Sequence, residues 1–186
     1  FGIPAILASS AGAWLLIKIT IMPSLLEYQF WDKNFEITPV KLIIAVLLVI
    51  FSLLEILPSV QKVQFGRKYL ALGGILSGFF GGLTGIQGAI RSAFLIKSGL
   101  SKEAYIATGV VIASLVDFTR LSVYASRFKE ANLNEHKILI ISAVLAAILG
   151  AFIGNKMLKK VTLKFVQVLV SILLFLIAIA LGAGII

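Results

Sequence analysis

Residues 73–95 read GGILSGFFGGLTGIQGAIRSAFL, and this stretch decides how the rest of the chain is understood. Seven of the sixteen glycines of the chain fall between Gly73 and Gly88, and Arg91 follows inside an otherwise oily run. The apolar segment that contains it, residues 69–96, would be about 42 Å long as one straight helix at 1.5 Å per residue. A hydrocarbon core is only ~30 Å thick. The segment must therefore tilt strongly, protrude or break, and 81–88 (GGLTGIQG) is the obvious place to break. Each Gly costs a helix up to about 1 kcal/mol against Ala. A broken backbone at membrane depth is tolerated only inside protein or beside a wet cavity.

Composition sets the class. Of 186 residues, 60% are hydrophobic and 13% charged, with a mean hydropathy of +1.07. A soluble domain is typically about 25% charged and 45–50% apolar. The chain reads as a polytopic membrane protein, an all-α transmembrane helical bundle embedded in the lipid bilayer. The net charge of +9 comes from Lys and Arg that sit mostly between apolar segments. There they fix topology and meet anionic headgroups, so nucleic acid is not an expected partner. With no Cys and one His, no thiolate metal site is available. No nucleophile–base arrangement, P-loop or Rossmann turn is present, and neither an enzyme nor a cofactor is expected.

Six apolar segments run through residues 3–21, 40–57, 69–96, 104–124, 138–158 and 163–186. The four prolines, at 4, 23, 39 and 58, lie at segment edges, where proline costs least. The longest connection, between the first two segments, contains LLEYQFWDKNF. Tyr28, Phe30 and Trp31 there suit a membrane interface as well as an ordinary loop. His136 is a lone loop histidine. The turn between the last two segments carries the densest basic cluster, Lys156, Lys159, Lys160 and Lys164, and is expected on the cytoplasmic side. Whether residues 69–96 cross once or fold back is open at this level.

An internal repeat is present. Residues 5–18 (AILASSAGAWLLIK) align without a gap to residues 143–156 (AVLAAILGAFIGNK), and 41–44 (KLII) pairs with 164–167 (KFVQ). Residues 1–58 then read as the end of a first repeat and 69–186 as a second repeat of four segments. On that expectation the chain lacks an N-terminal part, in which the first-repeat partners of the third and fourth segments precede Phe1. Duplicated units of this kind are common in transporters.

Two polar constellations interrupt the oily segments. At the break, the second half-helix would present free N–H groups and a positive dipole end to an anion. Gly81, Gly82, Gly85 and Gly88 would offer backbone amides, Thr84 and Gln87 neutral hydrogen bonds, and Arg91, with Ser92 beside it, a planar cation that matches an oxyanion. The fourth segment carries Ser114, Asp117, Arg120 and Tyr124 along one helix face. Asp117 and Arg120 can pair within the helix, which is the least costly way to keep charge in a membrane. Alternatively Arg120 holds substrate while Asp117 orients it or carries a coupling proton. Thr108 and Gly109 could line the same cavity. The alternative for the glycines is packing: Gly74, Gly78, Gly81, Gly85 and Gly88 recur every three or four residues, a small-residue stripe for close helix contact. Read that way, the chain would be a non-transporting membrane subunit or anchor, in which the glycines form an interface.

The stretch GGILSGFFGGLTGIQGAIRSAFLIKSGLSKEAYIATGVVIASLVDFTRL resembles the sulfite exporter TauE/SafE family. Gly74, Ser77, Gly78 and Gly81 match its glycine-rich helix, and Gly99, Leu100, Lys102, Glu103, Ala104, Ala107 and Thr108 its following turn. Residues 147–160 match its later A-x-x-G-A-x-x-G and basic turn. The resemblance implies a secondary carrier of two four-helix repeats that moves sulfite, sulfonates or related organic anions, often outward. Protons or the membrane potential would drive it, and a homo-oligomer is compatible with it. Thr84 to Ser92 depart from the usual run of glycines and apolar residues, so the substrate of better-known members is not carried over.

Overall fold

The computed structural model describes residues 1–30, 33–57, 65–95, 98–127, 137–157 and 162–186. Trp31, His136 and, in the basic turn, Lys159 and Lys160 lie outside them. The chain is an all-α helical bundle with one small β-hairpin. Helix α1 spans Gly2–Thr20, strands β1 and β2 span Leu26–Phe30 and Lys33–Ile37, and α2 spans Pro39–Ile56. A single 3-10 turn, Arg67–Tyr69, leads into α3 (Leu70–Thr84) and α4 (Gly88–Leu95). Then follow α5 (Lys102–Ala125), α6 (Lys137–Met157) and α7 (Leu163–Gly182). Four of these, α1, α5, α6 and α7, are long and apolar enough to cross a membrane, and α2 is a shorter apolar helix.

The helix starts follow sequence logic. Pro39 opens α2, where its missing N–H costs nothing, and Thr38 caps it by accepting from the Lys41 N–H at 3.4 Å. Ser101 caps α5 through the Ala104 N–H at 3.2 Å, and Thr162 caps α7 through the Phe165 N–H at 3.3 Å.

The break in the third apolar segment is real, and the chain reverses there. Gly85 ends α3 in the left-handed region (φ 81°), and its N–H donates to the Gly81 carbonyl at 2.8 Å. Helix α4 then returns along α3. The Phe65 N–H donates to the Ala93 carbonyl at 3.0 Å, Arg67 Nε donates to the Ser98 carbonyl at 2.9 Å, and the Phe65 and Phe94 rings stack at 4.3 Å. Both ends of residues 65–98 therefore lie at one end of the bundle. At 1.5 Å per residue α3 is about 22 Å long and α4 about 12 Å, so the reversal falls at membrane depth.

Helices α1 and α5 pack against this pair. Backbone oxygens of Phe1, Ala5 and Ser9 in α1 face Gly74, Gly78 and Gly82 in α3, so closely that a Cβ on any of those glycines would run into them. Gly12 faces the Phe79 carbonyl in return. This is close helix contact through small residues. Ala5, Leu95, Ile112 and Val116 form a buried cluster that joins α1, α4 and α5. A second layer packs α2 antiparallel to α7: Ser52 Oγ donates to the Ser171 carbonyl at 2.8 Å, and Gly182 lies against Ala45. Phe51 of α2 meets Phe80 of α3 edge-on at 5.7 Å. Helix α6 is exposed along nearly its whole length. Gly150 and Gly154 there face open space.

The connection after α1, read from its sequence as a loop, is a hairpin instead. Tyr28 pairs with Phe35 across the strands, and their rings stack at 5.3 Å. The alternation of apolar and polar residues in LEYQF and KNFEI gives the ribbon one apolar and one polar face. The Tyr28 hydroxyl donates to the Ala183 carbonyl, which ties the hairpin to the end of α7.

Candidate functional site

The reversal at Gly85 opens a cleft of about 400 Å³, lined by Gly85, Ile86, Gln87, Gly88, Arg91, Ala113, Asp117, Val170 and Leu174. The tip between α3 and α4 and three helices contribute: α4, α5 and α7. Val170 and Leu174 are mid-helix residues of α7, which places the cleft deep in the apolar layer.

The tip is held by its own side chains. The Thr84 hydroxyl donates to the Phe80 carbonyl at 2.9 Å and accepts from the Ile86 N–H at 3.2 Å. Ser77 Oγ reaches the Gln87 carbonyl at 3.4 Å. A Cβ at Gly81 would press on the Gln87 side chain and on Val116. Gln87 is thereby wedged, 6% exposed, with its Oε1 unpartnered among the described residues. Arg91 follows one turn into α4 and lies beside Gly109 of α5. Its Nη1 is buried and has no partner among the described residues.

Asp117 and Arg120 form the expected pair within α5, Nη2 to Oδ1 at 3.3 Å. Arg120 reaches under the tip against Gly85, where a Cβ would collide with Nη1, and its Nε is buried without a partner among the described residues. The Tyr124 hydroxyl donates to the Gly82 carbonyl at 3.0 Å and so fastens α5 to the last turn of α3.

Of the residues singled out in the sequence, Gly85, Gln87, Gly88, Arg91 and Asp117 line this cleft, and Arg120 adjoins it. The others do different work. Gly82 packs on Ser9, Thr84 caps the tip, and Ser92 accepts a hydrogen bond from the Tyr105 hydroxyl at 3.0 Å. Thr108 is half-buried and Ser114 exposed, and neither lines the cleft. Ile86, Ala113, Val170 and Leu174 are lining residues that sequence reasoning missed. As apolar residues in apolar helices they carry no local signal.

The arrangement is a pocket with a cationic and amide-lined side and an apolar side. Two buried guanidinium N–H donors, Arg91 Nη1 and Arg120 Nε, and one buried acceptor, Gln87 Oε1, stand here without a partner among the described residues, and α4 begins at the exposed Gly88. Unpaired donors in an apolar layer are costly, and an oxyanion satisfies them best. Among the described residues no group of His, Asp or Glu that could hold a metal is present.

Of the comparisons with known proteins, the family model alone gives a match. No curated protein and no solved structure matches the chain. A family model described as Sulfite exporter TauE/SafE matches residues 1–181. With its helices long and apolar enough to span, the chain is a multi-pass integral membrane protein, and it belongs to the sulfite exporter TauE/SafE family of membrane transporters.

Proposed function

We propose that the protein is a secondary transporter that carries a small oxyanion (sulfite, a sulfonate or a related organic anion) out of the cell. The observation that carries this reading is the cleft at Gly85, where Arg91 and the amides of the α3–α4 tip converge at membrane depth. On this reading residues 1–58 are the end of a first repeat and residues 69–186 a second repeat of four segments. Coupling to protons or to the membrane potential supplies the driving force, since one charge moved is worth about 2.3 kcal/mol per 100 mV.

The fold-back also bears on sidedness. By chain order the connections next to Arg67, Ser98 and Thr162 share one face, and the hairpin and the α5–α6 connection share the other. In chain order, Lys62, Arg67, Lys68, Lys97, Lys102, Lys156, Lys159, Lys160 and Lys164 fall to the first; Lys18, Lys33, Lys41, Arg127, Lys129 and Lys137 fall to the second. The basic excess marks the first face as cytoplasmic. The rival reading, an anchor with a glycine-faced interface, is left without that surface, because α1 covers Gly74, Gly78 and Gly82.

The test is thermal stability of the purified protein with sulfite, methanesulfonate, taurine, acetate and chloride, on wild type and Arg91→Gln. A ligand at 100 times its Kd adds about 2.7 kcal/mol. One oxyanion should stabilise wild type and leave a folded Arg91→Gln unmoved. No shift with any anion would set the anion reading aside.

A further inference from the structure

We propose that Asp117 sets the valence of the transported anion: by neutralising Arg120 it leaves one uncompensated positive charge at the cleft, so the site takes singly charged oxyanions and rejects dianions. The inference rests on the anion-carrier reading above and goes further by naming the charge of the substrate and the residue that fixes it.

Charge is expensive at membrane depth, and the cleft holds few charged groups. Among the described residues, the charged side chains at the cleft are Arg91 and Asp117, which line it, and Arg120, which is bonded to Asp117 at 3.3 Å. Two guanidiniums and one carboxylate leave a single positive charge. Every other lining residue is neutral, and Ile86, Ala113, Val170 and Leu174 are apolar. Water screens poorly at membrane depth, so net charge there is strongly disfavoured. A monoanion brings the cleft to neutrality. A dianion leaves one negative charge over, against an apolar wall that offers it no donor. The division of labour between the two arginines is also visible. Arg120 has its carboxylate, whereas Arg91 lines the cleft with a buried Nη1 that has no partner among the described residues.

The experiment is flux into vesicles reconstituted with the full chain, comparing methanesulfonate with sulfate at equal concentration and membrane potential, with protein-free vesicles as background. These probes share a tetrahedral sulfur–oxygen head and differ in charge. Wild type should carry methanesulfonate at least about tenfold faster than sulfate. Asp117→Asn adds one net positive charge and should move that ratio toward sulfate by about tenfold or more. The double variant Asp117→Asn with Arg120→Gln restores the original charge and should restore the original ratio, which a merely structural role of Asp117 would not do. Equal wild-type fluxes, a ratio favouring sulfate, or a folded Asp117→Asn with an unchanged ratio would overturn the valence rule while the carrier reading stands. Should Asp117→Asn fail to fold, the wild-type ratio decides alone. If folded wild type moves neither methanesulfonate nor sulfate nor sulfite, the carrier reading falls, and the valence rule with it.

Discussion

Two groups of glycines lie within sixteen residues of one another and do opposite things. Gly74, Gly78 and Gly82 are ordinary right-handed helix. Their value is the missing side chain, which lets the α1 backbone lie directly on α3. Gly85 has the other property, a left-handed backbone (φ 81°) that a side chain resists, and it turns the chain back on itself. One group brings helices together, and the other takes a helix apart. A stripe of glycines in a membrane segment is therefore not one signal, and the two uses are separable by substitution.

The largest effect should come from the packing group. Gly78→Leu places a side chain into the Ala5 backbone, where nothing can yield without moving a whole helix. Overpacking of this kind costs about 3 kcal/mol, and the variant should show a large drop in midpoint on thermal unfolding in detergent. An unchanged midpoint would mean that α1 does not sit on α3. Gly85→Ala should cost less, about 1–2 kcal/mol for a left-handed alanine. It should also impair transport out of proportion to that loss, because its methyl displaces Arg120. Tyr124→Phe removes the hydroxyl that joins α5 to Gly82 and should cost about 1 kcal/mol, read as a modest lowering of the same midpoint. The smallest effect belongs to Gly150→Leu. A side chain there meets nothing within 4 Å, so the change should stay within about 0.5 kcal/mol. A larger loss would reveal a neighbour for α6.

That last variant has an instructive counterpart. Gly150 aligns with Gly12, and Ala143 and Ala147 align with Ala5 and Ser9. Gly12, Ala5 and Ser9 are buried against α3, whereas their counterparts in α6 are exposed. The same small-residue pattern has opposite burial, so the pattern does not say what lies beside it.

The same limit governs what could be read from the chain. Helices α1, α2, α5, α6 and α7 are legible as apolar runs, because a bilayer demands about twenty such residues. The starts of α2 and α5 are legible too, from Pro39 and Ser101. The break at Gly81–Gly88 is legible because glycines are costly in helices. The direction after it is not: Phe65 with Phe94 and Arg67 with Ser98 are partners about thirty residues apart, and nothing local announces them. In the cleft, Arg91 and Asp117 stand out as charges in oil, while Val170 and Leu174 come from a helix whose sequence is oily everywhere. The β-hairpin had a local signal, the alternation in LEYQF and KNFEI, and the aromatic-and-charge mixture masked it.

The fold-back has a mechanical consequence. A helix that crosses is tethered at both surfaces, and its middle moves only if the whole rod moves. The α3–α4 pair is anchored through Phe65, Arg67 and Ser98 at one surface alone, and its tip hangs in the layer like the end of a cantilever. On the far side that tip has no covalent continuation. It is steadied by the Ser9 backbone of α1 against Gly82, and by the Tyr124 hydroxyl and the Arg120 guanidinium of α5. Any tilt of α5 is thus delivered to the cleft at the free end of the beam, where a small rotation produces the largest displacement.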